Sequence, residues 1–119
     1  PGEPILREIA RKLTGMRLYA PTPSDRSWLL FTRGVCKKHF DCKEKGVFTL
    51  VICLKTDEPY RMAISYRRDY LEGDTMKPEH CREVVLNQNE YLVFPSCMWH
   101  ECIAEESNAR VIVNTLLKL

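Results

Sequence analysis

The chain has 119 residues, 45% of them hydrophobic and 29% charged, and 18 lysines and arginines against 16 aspartates and glutamates give a net charge of +2. A chain of this length can bury one real core, and so small and evenly spread a charge supplies no bulk attraction for nucleic acid or a membrane surface. No apolar run approaches the ~20 residues of a membrane helix, and nothing resembles a signal peptide.

The first residue is Pro1 rather than Met, so the chain is expected to be a processed, trimmed or excised piece. Its six cysteines (36, 42, 53, 81, 97 and 102) are scattered, and Cys53 lies inside the apolar run "FTLVICL". A buried free cysteine packs as a small hydrophobe. The expectation is therefore a reduced, intracellular and cytoplasmic protein.

In chain order, "PILREIARKLTGM" places Ile5, Ile9 and Leu13 at helical spacing with Gly15 as a stop, which predicts one amphipathic helix over about residues 4–14. "APTPSDRS" reads as a loop. From about residue 27 to 119 the signals are those of strands: "SWLLFTRG", "VFTLVICLK", "YRMAISYR", "REVVLN", "EYLVFPS", "HECIAEE" and "ARVIVNTLLKL". Gly34, Gly46, "TDEP", "LEGD", "NQN" and "EESN" punctuate them. One helix followed by seven or eight strands, with no βαβ alternation, predicts a mainly β sandwich or barrel forming a single domain over residues 1–119. "RKLTGMR" and "YRRDY" read as solvated faces.

The chemistry-bearing stretch is "GVCKKHFDCKEKG" at 34–46. If "KHFDC" is a strand, His39 and Asp41 share a face, while Cys36 and Cys42 have the opposite parity. A second imidazole, His100, lies in "FPSCMWHECI", 59 residues beyond Asp41. Two imidazoles and a carboxylate are the ingredients of the facial triad that holds non-haem Fe(II) with other positions open. Each histidine taken alone is more often an ordinary surface or core residue, and His80 in "KPEHC" is left there. Ten residues past His100 comes Arg110, at the head of "VIVNTLL". A tight hairpin folded about residue 105 would set 100 opposite 110 on one face. An inward arginine beside a metal ligand calls for an anionic partner, which its planar fork matches bidentately.

These residues resemble the Fe(II)- and 2-oxoglutarate-dependent oxygenases, and within them the prolyl 4-hydroxylase-like branch. Besides H-x-D, the distal histidine and a basic residue ten further on, "FTRGVCKKHFD" is similar to that branch's lead-in to its metal strand. "EGDT" at 72–75 is similar to its GG-x-T turn, and "VVLNQNEYLVFPSCMWHEC" to its approach to the distal histidine. The resemblance runs from about Phe31 to Leu116. It implies a double-stranded β-helix, or jelly roll, with one N-terminal helix. It implies Fe(II) bound by His39, Asp41 and His100, and the far carboxylate of 2-oxoglutarate bound by Arg110. It also implies dioxygen as co-substrate, ascorbate as a candidate addition, and hydroxylation coupled to oxidative decarboxylation to succinate and CO2.

Phe31 stands where the family often has a tyrosine, and Arg110 where the branch usually has lysine. Thr49, Tyr91 and Asn114 are the unranked candidates for a second co-substrate contact, and Asn114 shares Arg110's parity. Trp99 is a candidate pocket wall. The substrate stays open among a prolyl side chain, another protein residue, a nucleobase and a small metabolite, with no membrane partner expected. Two alternatives stand beside this reading: a zinc module built from "C-KK-H-FD-C" and "C-MW-H-E-C", and a non-catalytic cupin-like barrel.

Overall fold

The apolar stripe that docks the N-terminal helix is Leu6, Ile9, Ala10 and Leu13, which keeps Ile9 and Leu13 of the expected spacing and replaces Ile5 by Leu6 and Ala10. Helix α1 (Glu3–Lys12) buries Leu6 and Ala10 while Ile5 is exposed. Its cationic last turn, Arg11 and Lys12, is followed by Gly15 at φ 75°, whose N–H donates to the Arg11 carbonyl at 3.3 Å. That is the left-handed stop that glycine allows without strain.

The computed structural model describes residues 3–13, 15–20, 30–32, 39–65, 78–103 and 110–119. Its strands are β1 (Arg17–Tyr19), β2 (Leu30–Thr32), β3 (Val47–Thr56), β4 (Tyr60–Ser65), β5 (Cys81–Leu86), β6 (Tyr91–Pro95), β7 (His100–Cys102) and β8 (Arg110–Lys118). A short 3-10 turn, Pro78–His80, leads into β5. All seven runs read as strands contain one. β1 went unread because three residues are too few for alternation to register. Cys36, Gly34, Lys37, Lys38, "EGDT" and the turn after β7 lie outside the described residues. Among the described residues no helix is long and apolar enough to cross a membrane.

The strands form two antiparallel sheets. One runs β1-β8-β3-β6, with β2 also on β8, and the other runs β5-β4-β7. Alternation decides which side chains go where. On β3, Val51 and Cys53 point to one face and join Phe94 and Ile112 of the same sheet with Tyr60, Met62, Ile64, Leu86 and Cys102 of the other. The two sheets therefore face each other across a shared interior, which makes the fold a mainly β jelly roll. The intervening β3 residues, Leu50 and Ile52, point the other way and pack with Val113 and Leu117 against α1.

One prediction of topology fails. His100 and Arg110 are not partners in a hairpin: β7 pairs with β4, with Ile64 opposite His100, whereas β8 pairs with β3, with Thr56 opposite Arg110. A sum of positions about a turn assumes that the chain returns beside itself. Here it crosses to the facing sheet instead. The two side chains still share the interior, because each projects inward from its own sheet.

Candidate metal centre

Residues 39–42 of "KHFDC" do not form a continuous strand. His39 makes a single antiparallel bridge with His100, its N–H donating to the His100 carbonyl at 3.0 Å and its carbonyl accepting from the His100 N–H at 2.8 Å. Two residues later the chain has moved to the other sheet, where the N–H groups of Asp41 and Cys42 both donate to the Ser96 carbonyl, at 3.0 and 3.1 Å. The segment bends because it joins the edge of β7 to the end of β6. Asp41 therefore reaches the interior from a corner between the sheets rather than by strand parity.

The possible ligand atoms of His39, Asp41 and His100 all lie within 4.8 Å of one another. His39 Nε2 is 3.3 Å from Asp41 Oδ1, and His100 Nε2 is 3.6 Å from Asp41 Oδ2. A single metal ion with bonds of ~2.1 Å holds adjacent donors about 3.0–3.5 Å apart, and the two pairs that involve Asp41 stand close to that spacing. His100 is 3% exposed, whereas the His39 side chain is 37% exposed, so the group is closed on one side and open on the other.

Two of the three candidate ligands, His100 and Asp41, are oriented by a neighbour. His100 Nδ1 lies 3.1 Å from the Met98 carbonyl, which can only accept. The proton of the neutral ring therefore sits on Nδ1, and the Nε2 lone pair faces Asp41. The Phe94 ring meets this imidazole edge-on, with centroids 4.9 Å apart. Thr49 Oγ1 donates to Asp41 Oδ2 at 2.6 Å. Ser96, fully buried, places its hydroxyl 3.0 Å from the Cys42 carbonyl and 2.9 Å from the Val47 carbonyl, so it secures the loop that carries Asp41.

The electrostatics favour the metal-binding protonation states. Burial alone would raise the Asp41 pKa. The hydrogen bond with His39, the charge of His100 and the Thr49 hydroxyl outweigh it and hold the carboxyl below its ordinary value. Burial pushes His100 below its ordinary value, against the opposing pull of Asp41 and the Met98 carbonyl.

Arg110 is buried in the same interior at 3% exposure. Its Nη2 donates to Cys102 Sγ at 3.1 Å, and its guanidinium carbon lies 5.2 Å from the centre of the Tyr60 ring. Asn114 lies opposite Val51 of the inner cluster, so it shares Arg110's face of β8. Thr49 also faces inward, but its proton is committed to Asp41, which makes it a support for that ligand rather than a free co-substrate contact. Tyr91 is not brought to the site: it lies opposite Ile52, on the helix-side face, and is 52% exposed. Trp99, one residue before β7, is buried and packs edge-on against Phe40, centroids 5.0 Å apart. For Phe31 the backbone alone is described, opposite Val111 in β2.

Among the described residues no cysteine belongs to the metal-binding group, and Cys42, Cys53, Cys81, Cys97 and Cys102 are free thiols. Sequence reading passed over Ser96 and Tyr60, and named Cys102 only as a thiolate of the zinc alternative. Cys102 had a legible signal, since "HEC" puts it on the same face as His100.

No family model and no curated protein matches the sequence. Among solved structures the chain is similar to KdgF from Halomonas sp., at 16% identity over 87% of this chain and 77% of that one, with a TM-score of 0.41. It is also similar to CoII HppE in complex with substrate, at 11% identity over 86% of this chain and 58% of that one, with a TM-score of 0.40.

Proposed function

We propose that the protein is an Fe(II)- and 2-oxoglutarate-dependent oxygenase that hydroxylates an organic substrate. The observation that carries the reading is one shared interior holding both a two-histidine, one-carboxylate group and a buried arginine. This donor set suits non-haem iron, and three ligands from the chain leave positions for ligands from solution. Iron held there would supply the activation of dioxygen, one atom of which would go into the succinate formed from 2-oxoglutarate with loss of CO2 and the other into a substrate C–H bond.

The chain's own residues have separable tasks. His39, Asp41 and His100 hold the metal. Arg110 takes the far carboxylate of the co-substrate, and Asn114 is the remaining candidate on the same face for a second contact. The Arg110 guanidinium touches Cys102, which follows His100 by two residues on one strand face. Two strand residues span about 7 Å, the reach of a five-carbon dicarboxylate rather than of a single carboxylate. Burial of His100 and Arg110 excludes water from that end, while the exposed side of His39 admits the substrate. A prolyl or other protein side chain and a small molecule are the substrate classes in view, with the prolyl 4-hydroxylase-like branch as the finer assignment.

The test is an anaerobic titration of metal-free protein with Fe(II) and then 2-oxoglutarate, following the visible charge-transfer absorption of the chelated keto acid. The band is expected in the wild type, weaker in Arg110→Ala and absent in His100→Ala. No band, together with tight zinc binding through thiolates, would establish the zinc module instead.

A further inference from the structure

Arg110 stands on the five-stranded sheet and His100 on the three-stranded one, so nothing in the backbone pairing of either strand fixes the distance between them. Cys102 supplies the missing link. It is buried, it lies on the same face of β7 as His100, and its sulfur accepts Nη2–H of Arg110 from across the interior at 3.1 Å. The β4 pairing holds both ends of this arrangement, with Ile64 opposite His100 and Met62 opposite Cys102.

We propose that Cys102 is a positioning residue that tethers the Arg110 guanidinium to the strand carrying the distal histidine, so that β7 itself sets the spacing between metal and anion clamp. The chemistry of the tether suits that task. A carboxylate in this place would cancel the guanidinium charge and remove the attraction for an anionic ligand. A thiol takes one N–H and leaves the charge in place. The Tyr60 ring, 5.2 Å from the guanidinium carbon, likewise attracts the cation through its face without a formal charge. A guanidinium carries five donors in a rigid plane, so engaging one nitrogen at its edge orients the others. This inference rests on the oxygenase reading for the identity of the anion, but not for the tether.

The experiment therefore has independent arms, applied to wild type, Cys102→Ala and Cys102→Ser. The first follows the Arg110 side-chain Nη resonances by nitrogen-15 NMR, assigned by their loss in Arg110→Lys. Restricted rotation of the guanidinium is expected in the wild type, faster rotation in Cys102→Ala, and the wild-type restriction again in Cys102→Ser, whose hydroxyl also accepts. The second measures Co(II) affinity, expected to be unchanged in both variants. The third measures 2-oxoglutarate binding to the Co(II)-loaded protein, expected to weaken about tenfold in Cys102→Ala and to recover in Cys102→Ser. Arg110 resonances indifferent to Cys102→Ala would overturn the tether. So would an equal loss of Co(II) and 2-oxoglutarate affinity, which would mark Cys102 as part of the general packing. If the wild type binds no 2-oxoglutarate, the oxygenase reading fails, and the rotation of Arg110 still decides the role of Cys102.

Discussion

The hydroxyl of Thr49, on the fully buried floor of the large sheet, donates to Asp41 Oδ2 at 2.6 Å and so fixes the rotation of the carboxylate between the two imidazoles. Partners behind a metal ligand typically matter by one to two orders of magnitude in affinity. Thr49→Val keeps the shape and removes the donor. We expect Co(II) or Fe(II) affinity to fall about tenfold while far-UV circular dichroism is unchanged. Undiminished affinity would show that Asp41 needs no help to face the ion.

Ser96 holds the same ligand from the backbone side. Its hydroxyl bridges the carbonyls of Cys42 and Val47, and its own carbonyl accepts from Asp41 and Cys42. Ser96→Ala leaves the backbone bonds, including Ser96 N–H to the Val47 carbonyl, but removes the one hydroxyl proton that the Cys42 and Val47 carbonyls share, a loss of about 1 kcal/mol. The variant should unfold earlier in urea and bind metal more weakly, because the loop of residues 41–47 then samples other positions. A stability loss with wild-type metal affinity would confine Ser96 to the fold.

Most of the architecture was legible because a strand of five or more residues shows its alternation, as β3, β4, β5, β6 and β8 do. The three-residue β1 does not. The helix was legible and so was part of its inward stripe, since Ile9 and Leu13 pack inward, but the exposed Ile5 gives way to Leu6 and Ala10 by a rotation that only the sheet beneath decides. His39, Asp41 and His100 could be grouped from chemistry alone, although the reason they meet is a corner between sheets rather than strand parity. The relation of His100 to Arg110 was inferred from a hairpin that does not exist. It survives because inwardness belongs to each strand separately. Tyr91 failed for the complementary reason: its hydroxyl is suited to the task but its parity puts it outside.

Asp41 and His100 both have lowered pKa values, and the signs act together. A group whose pKa is lower in the folded state stabilises above its unfolded value and loses that contribution as pH falls through its folded value. For His100 the loss sets in below pH about 6.5, as a proton must be taken up on a buried imidazole, and for Asp41 only below the ordinary carboxylate range. The metal-free protein should therefore keep a flat stability from pH 8 to 7 and weaken progressively below 6.5 in urea titrations. His100→Gln should flatten the first part of that decline. The same shifts delay proton competition for the metal, so Co(II) affinity should hold to lower pH than that of a free imidazole. A stability maximum at pH 5 would contradict the lowered pKa of His100, while Asp41 is tested only by the decline below the carboxylate range.

Fold and site should be separable, because the two apolar clusters are built without the metal-binding group. Leu117 is fully buried on the helix side of the large sheet, facing away from the interior. Leu117→Ala should cost about 2–5 kcal/mol from lost burial and the cavity left behind, and should leave metal affinity near the wild-type value. Chelator should do the reverse. Removing the ion takes away only the stabilisation that binding contributes by mass action, so strand content should persist while the unfolding midpoint falls. A zinc module, whose folding energy is its metal binding, would unfold outright under the same treatment. Circular dichroism with and without chelator distinguishes the two, and loss of the β signal would refer the fold's stability to the metal after all.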